Sequence, residues 1–136
     1  MSSDFTKEEK AAMRAAVAEA KAAKVGADLA AACRAAIDEM SGSDKELAEA
    51  VHELVTKNTD LKAKTWYGMP AYIDADGKVV VFFQSAAKFK VRYATIGFQE
   101  AAHLDEGNLW PTSYAVTKLT AADKKRLVQM LQRAVA

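Results

Sequence analysis

Apolar side chains recur three and four residues apart as far as Asn58 and again after Thr120, while between these stretches they alternate or run together. The first and last parts of the chain are therefore expected to be helical and the middle to be sheet. Thr6 and Glu9 have the spacing of a capping box, in which a hydroxyl and a carboxylate satisfy free N–H groups of the first turn, so a helix should begin near Lys7. Its inward stripe is thin, chiefly Met13 and Val17, and Val25-Gly26 marks an expected interruption. A second helix should carry Leu29, Cys33, Ile37 and Met40 on one face. After Ser41-Gly42-Ser43, a second capping box, Ser43 with Glu46, opens a third helix with the stripe Leu47, Val51, Leu54 and Val55, ending near Asn58.

From Thr65 the period becomes that of a strand. Asp74-Ala75-Asp76-Gly77 supplies turn chemistry between Ala71-Tyr72-Ile73 and Lys78–Gln84, which predicts a hairpin. Val79 to Phe83 is apolar on both faces, as expected of a central strand covered on one side by helices and on the other by a loop or partner. Lys88 to Thr95 alternates, with Phe89, Val91 and Tyr93 against Lys88, Lys90 and Arg92, and predicts a strand with one wet face. Ile96 to Thr112 is irregular, Ser113 to Leu119 reads as a further strand, and Thr120 with Asp123 caps a last helix with Leu127, Val128, Leu131 and Val135 facing inward. Pro70 lacks a ladder donor, so the Trp66–Tyr72 segment should be an edge or bulged strand.

Composition sharpens this division. Fourteen alanines fall within the first forty residues, and ten of the eleven aromatic residues lie between Trp66 and Tyr114. Alanine favours helix and aromatics favour a half-buried pleated surface, so the expected class is α+β, an antiparallel sheet packed by N-terminal and C-terminal helices. A chain of 136 residues supports one core, giving a single domain over 1–136, with 1–40 an alanine-rich helical extension and 43–136 the sheet-containing part. A hydrophobic fraction of 51% separates it from disordered chains. The net charge of +1 provides no overall field for polyanions. Cys33 has no disulfide partner, no apolar stretch is long enough to cross a bilayer, and the opening residues lack a leader's apolar run, so the cytoplasm is the expected location, with no membrane partner.

The run Thr65-Trp66-Tyr67-Gly68-Met69-Pro70-Ala71-Tyr72, followed by Gly77-Lys78 and an aromatic strand, resembles the YdhG-like family of small bacterial proteins. Lys88-Phe89-Lys90, Tyr93-Ala94-Thr95 and Leu109-Trp110-Pro111-Thr112 extend the resemblance over about Ser43 to Val135. It implies a two-layer fold similar to frataxin. Since one member is regarded as an iron chaperone, it also implies iron binding or delivery as a function. The family supplies no catalytic residues to carry over.

Iron as the bound species would call for exposed, uncompensated carboxylates, because hard cations take oxygen ligands. Asp4, Glu8, Glu9 and Glu19 alternate with Lys7, Lys10, Arg14 and Lys21, so the expected acidic ridge is missing and a solvated helix face is the simpler reading. Asp74 with Asp76, and His103 with Asp105 and Glu106, are the remaining metal candidates, the first pair also being explained by turn chemistry.

The second candidate chemistry is an aromatic site. Trp66, Tyr67, Met69 and Trp110 can line an apolar concavity, with Lys88, Lys90 or Arg92 holding an anionic group, although the simpler reading is that the same aromatics fill the core. Nucleic acid is not expected as a partner, because strand alternation separates the rings from the charges. Covalent catalysis would need Cys33 beside His52 or His103, and Cys33 sits on an inward stripe. The reading is a binding protein rather than an enzyme, with an iron-binding role and an aromatic small-molecule or protein-interaction role both open.

Overall fold

The computed structural model describes residues 6–136. Helix α1 (Lys7–Asp38) leads directly into α2 (Gly42–Asn58), and the sheet follows as β1 (Lys62–Trp66), β2 (Met69–Ile73), β3 (Val79–Gln84), β4 (Ala94–Phe98) and β5 (Ser113–Val116). A single helical turn, α3 (Ala86–Phe89), lies between β3 and β4, and α4 (Ala121–Ala134) closes the chain. The five strands pair antiparallel in sequence order, β1-β2-β3-β4-β5, so the class is α+β with the helices packed on the sheet.

Strand register assigns the two faces. Ala63, Tyr72, Val81 and Phe98 are paired across four strands and join Phe83, Ile96 and Val116 in the core. Against them pack Cys33 and Ile37 of α1, Leu47, Val51 and Val55 of α2, and Leu127 and Leu131 of α4. Each such fully buried aliphatic side chain contributes roughly 1.5–3 kcal/mol. The other face carries the row Lys64, Ala71, Phe82, Gly97 and Ser113. Val79 to Phe83 is therefore covered by helices on one side only: Val80, Val81 and Phe83 are buried, whereas Val79 and Phe82 are half-buried. A bulge makes part of the difference, since Ile73 pairs with Val79 and Tyr72 with Val81, leaving Val80 as the extra residue.

The expected break at Val25-Gly26 does not occur. Gly26 sits inside α1 with open space around it, and its cost of about 1 kcal/mol relative to alanine is offset by the helix-forming alanines on either side. Met13 and Val17, expected to face inward, are 44% and 55% exposed. Every residue from Lys7 to Asp28 is exposed, so the first two thirds of α1 stand clear of the core for roughly 33 Å at ~1.5 Å per residue. The Thr6 hydroxyl accepts from Glu9 N–H as expected, at 3.0 Å. Helix α2 begins two residues earlier than the Ser43 box implied: its N-cap is Ser41, which makes no side-chain capping bond.

The strand expected over Lys88–Thr95 is also absent. The Asp44 carboxylate accepts from Ala86 N–H at 2.9 Å and from Ala87 N–H at 3.0 Å, capping α3, and Lys90 ends that turn in the left-handed region at φ 53°. Strand β4 begins only at Ala94, and Phe89 and Val91 are each 47% exposed. The Trp66–Tyr72 segment, expected to be an edge or bulged strand, is divided by a turn: Trp66 ends the edge strand β1, and β2 lies between β1 and β3 with a register shift between Tyr72 and Ile73. The pairing of β2 to β3 starts at Ala71↔Phe82, one residue past Pro70, so the missing proline donor falls outside the β2–β3 ladder. The Thr120–Asp123 capping box forms as expected, with Leu127 and Leu131 buried, although Val135 is 42% exposed.

On the open face the Phe82 ring lies flat across Gly97, where a Cβ would come within 2.1 Å of Phe82 Cζ. Gly97→Ala should displace this ring and lower stability by about 1–2 kcal/mol. Urea unfolding checks this, and the penalty should vanish when Gly97→Ala is made in a Phe82→Ala background.

Candidate functional site

The turn between β1 and β2 places the aromatic residues. Tyr67 and Gly68 both have positive φ, 51° and 75°, the backbone of a type I′ hairpin whose twist matches its flanking strands. Tyr67 at the tip is 80% exposed. Trp66 points to the open sheet face, its ring 4.9 Å from Tyr67 and 5.3 Å from Phe82. Because Gly97 lets Phe82 lie against the strand, Trp66, Tyr67 and Phe82 form one continuous aromatic ledge.

Behind the same turn is a cleft of about 290 Å³ between the end of α1, the start of α2 and α3, lined in part by Met69, Ser85 and Lys88. Lys88 Nζ lies above Gly68 and reaches the Tyr67 carbonyl at 3.5 Å. A Cβ on Gly68 would stand 2.8 Å from that ammonium, so glycine serves both the left-handed backbone and the close approach. Trp66, Tyr67, Met69 and Lys88 thus gather at one hairpin. Lys90 is exposed at the end of α3, and the Arg92 guanidinium stacks over Tyr93 at 5.3 Å. Trp110 does not join them. Trp66 and Met69 pair at one end of the sheet, whereas Trp110 precedes Ser113 at the other, where it packs on the core and lines a separate cleft with Phe98 and His103.

The alternation that separated rings from charges along Lys88–Tyr93 does not exist in the fold, since that stretch is a helical turn and a bend. Phe82 and Ser85 are the residues that sequence reasoning missed. Phe82 was hidden in an all-apolar run, and Ser85 gained its place only through the distant Asp44.

The metal candidates take part in local structure, Asp76 and Asp105 through their backbone only. Asp74 Oδ1 accepts from Asp76 N–H at 2.9 Å and Lys78 N–H at 3.0 Å. His103 Nδ1–H donates to the Ala136 carbonyl at 2.8 Å, Arg133 donates to the Asp105 carbonyl at 3.0 Å, and Glu106 stands 3.8 Å from the same guanidinium. Glu8, Glu9 and Glu19 lie on the exposed part of α1, and Asp4 is outside the described residues. Among the described residues, no group of three or more His, Cys, Asp or Glu is placed to share a metal ion. No described helix is long and apolar enough to cross a membrane.

Cys33 and His52 are brought to one buried residue, Tyr72. The Tyr72 hydroxyl and His52 Nδ1 share a hydrogen bond of 2.9 Å, and the Cys33 thiol lies beside the phenol. Burial raises the pKa of both Cys33 and Tyr72, so the thiol and the phenol stay protonated. Cys33 is fully buried, and this chain of side chains joins α1, α2 and β2 rather than presenting a nucleophile. Arg34 reinforces the junction by bonding Asp38 at 2.8 Å within α1 and Glu49 across to α2.

What these features define is an α+β domain with an aromatic ledge and an adjoining cleft. Residues 3–58 match the family model described as CbbQ/NirQ/NorQ C-terminal. The match takes in α1 and α2, less than half of the chain, and stops before the sheet. It overturns the resemblance to the YdhG-like family, and with it the frataxin-like reading; the Tyr-Gly-Met-Pro-Ala run that suggested them is a tight hairpin with its own geometric reasons. No curated protein and no solved structure matches the chain.

Burial first, and then the Arg34 guanidinium, hold the His52 imidazole below its ordinary value of 6.5. The neutral ring is the folded form, whereas the unfolded chain takes up a proton near pH 6.5. The stability linked to His52 should therefore be complete above that pH and decline as pH falls through it toward the lower folded value. Thermal melts from pH 8 to 5 should show this decline in the wild type and a shallower one in His52→Gln.

Proposed function

We propose that this chain is a protein-interaction module whose recognition surface is the open sheet face around Trp66, Tyr67 and Phe82. The observation that carries the reading is the ledge itself: a half-buried indole and phenyl support a tyrosine that is 80% exposed at the tip of a two-residue hairpin turn. Soluble domains do not ordinarily hold large rings against water without a partner, and Tyr and Trp are enriched where interfaces concentrate their energy. The ledge is formed on a sheet rather than within a concavity, which suits a macromolecular surface better than a small molecule. Lys64 shares the open face and Lys88 stands at the turn, so an acidic rim on the partner would complement it.

Iron binding is less well supported, because the Asp74 and Glu106 carboxylates are engaged in turn and α4 contacts and the α1 carboxylates are interleaved with basic residues. A photo-crosslinking phenylalanine analogue in place of Tyr67 should give a discrete protein adduct in cells. That adduct should disappear when Trp66→Ala is added, and the same analogue at Lys118 should give none. If position 67 gives no adduct beyond that of position 118, the reading fails.

A further inference from the structure

We infer that the open edge of the sheet at β5 is a second, separate interaction site, and that it takes an extended peptide segment in which an apolar and an acidic residue stand two positions apart. β5 ends the sheet, with β4 on one side and no strand on the other. Phe98 N–H donates to the Thr112 carbonyl at 2.7 Å, and in an antiparallel ladder such bonded pairs recur at every second residue. Tyr114 and Val116 therefore turn their backbone groups to β4, whereas Ser113 and Ala115, both exposed, turn theirs outward. A row of outward donors and acceptors is a template for one more strand.

The two edges of the sheet are not alike. β1, at the far side, carries Lys62 and Lys64 and has α1 packed against it, and lysine on an edge is a common guard against added strands. From Thr112 to Thr117 the chain has no charged residue. β5 is thus the edge without that guard.

Beside it, between β5 and α4, lies a cleft of about 200 Å³. Ile96, Val116, Leu119 and Met130 form apolar walls, and Lys118 and Arg126 add two exposed cations. Asp123, the one acidic residue lining the cleft, is held in the Thr120 capping box. Tyr114 and Val116 stand on the inner face of the sheet with Ile96 and turn toward this cleft, so a strand laid along β5 sends every second side chain into it. The space is smaller than most small-molecule pockets and suits a single apolar side chain. The residue two positions along the added strand shares that face and meets the cations, where a carboxylate is the complementary group. A second copy of this chain fits less well. Laid edge to edge, it would bring its own α4, with Lys124, Lys125, Arg126 and Arg133 against Asp123 alone, beside the first.

Synthetic heptapeptides of threonine carrying one leucine and one glutamate test this, by titration into the whole protein and by amide hydrogen exchange. Saturable binding is expected when the two residues are two positions apart. A loss of about tenfold is expected when they are three apart, and so face opposite sides of the strand, or when lysine replaces glutamate. The Ser113 and Ala115 amides should exchange freely in the protein alone and gain protection in the complex. Arg126→Glu should reverse the preference between glutamate and lysine peptides. Because Arg126 is exposed on α4, that variant keeps the test valid if Ala115→Pro, which removes an outward donor and should abolish binding, disturbs the fold. The inference is overturned if no peptide of the first spacing binds at millimolar concentration, if spacing makes no difference, or if binding leaves the two amides unprotected. It is equally overturned if these amides are already protected in the protein alone, which together with a dimer in sedimentation would assign the edge to a second copy.

Discussion

Asp44 is the contact on which the arrangement around the hairpin depends. It lies in the first turn of α2, is 7% exposed, and spends both carboxylate oxygens on the first two N–H groups of a helical turn more than forty residues away. A charge taken out of water in this way persists only when it is well hydrogen-bonded, and two backbone donors meet that need. The bond ends β3, starts α3, directs Lys88 back over Gly68 and releases the Ser85 hydroxyl. Without it, α3 would have no cap and a four-residue helix would have no reason to form.

A second polar junction lies beneath the helices, on the inner face of the sheet. Tyr72, on the inner face of β2, meets His52 of α2 and Cys33 of α1, so one phenol fixes the spacing of two helices above the strands. Arg34, bridging Asp38 and Glu49, closes the same gap at the surface, where exposed ion pairs are individually weak. Burial of Ile37, Val51, Val55 and Phe83 supplies most of the stability, and these few polar contacts select which packing it takes.

What could be read from the sequence was set by local physics. Thr6 and the Thr120–Asp123 box, the buried stripe of α2, the Asp74–Gly77 turn and the α+β class all follow from spacing and propensity, and all are present. The failures share another cause. Lys88–Tyr93 alternates like a strand, but a distant carboxylate made its start helical. Met13 and Val17 have helical spacing but no surface to meet, because α1 extends beyond the sheet. Of the aromatic site, Trp66 and Tyr67 were legible, while Phe82 was not, since only its registration opposite Gly97 shows which face it takes.

The exposed part of α1 has a mechanical consequence. A stiff rod of about six turns fixed to one end of a small body makes the particle elongated, so diffusion about its long axis and end over end will proceed at different rates. Backbone N–H vectors of the rod, which lie along its axis, would then report a longer reorientation time than vectors set across that axis. The alanine-rich segment acts as an outrigger, governing how the ledge at Tyr67 sweeps through solution.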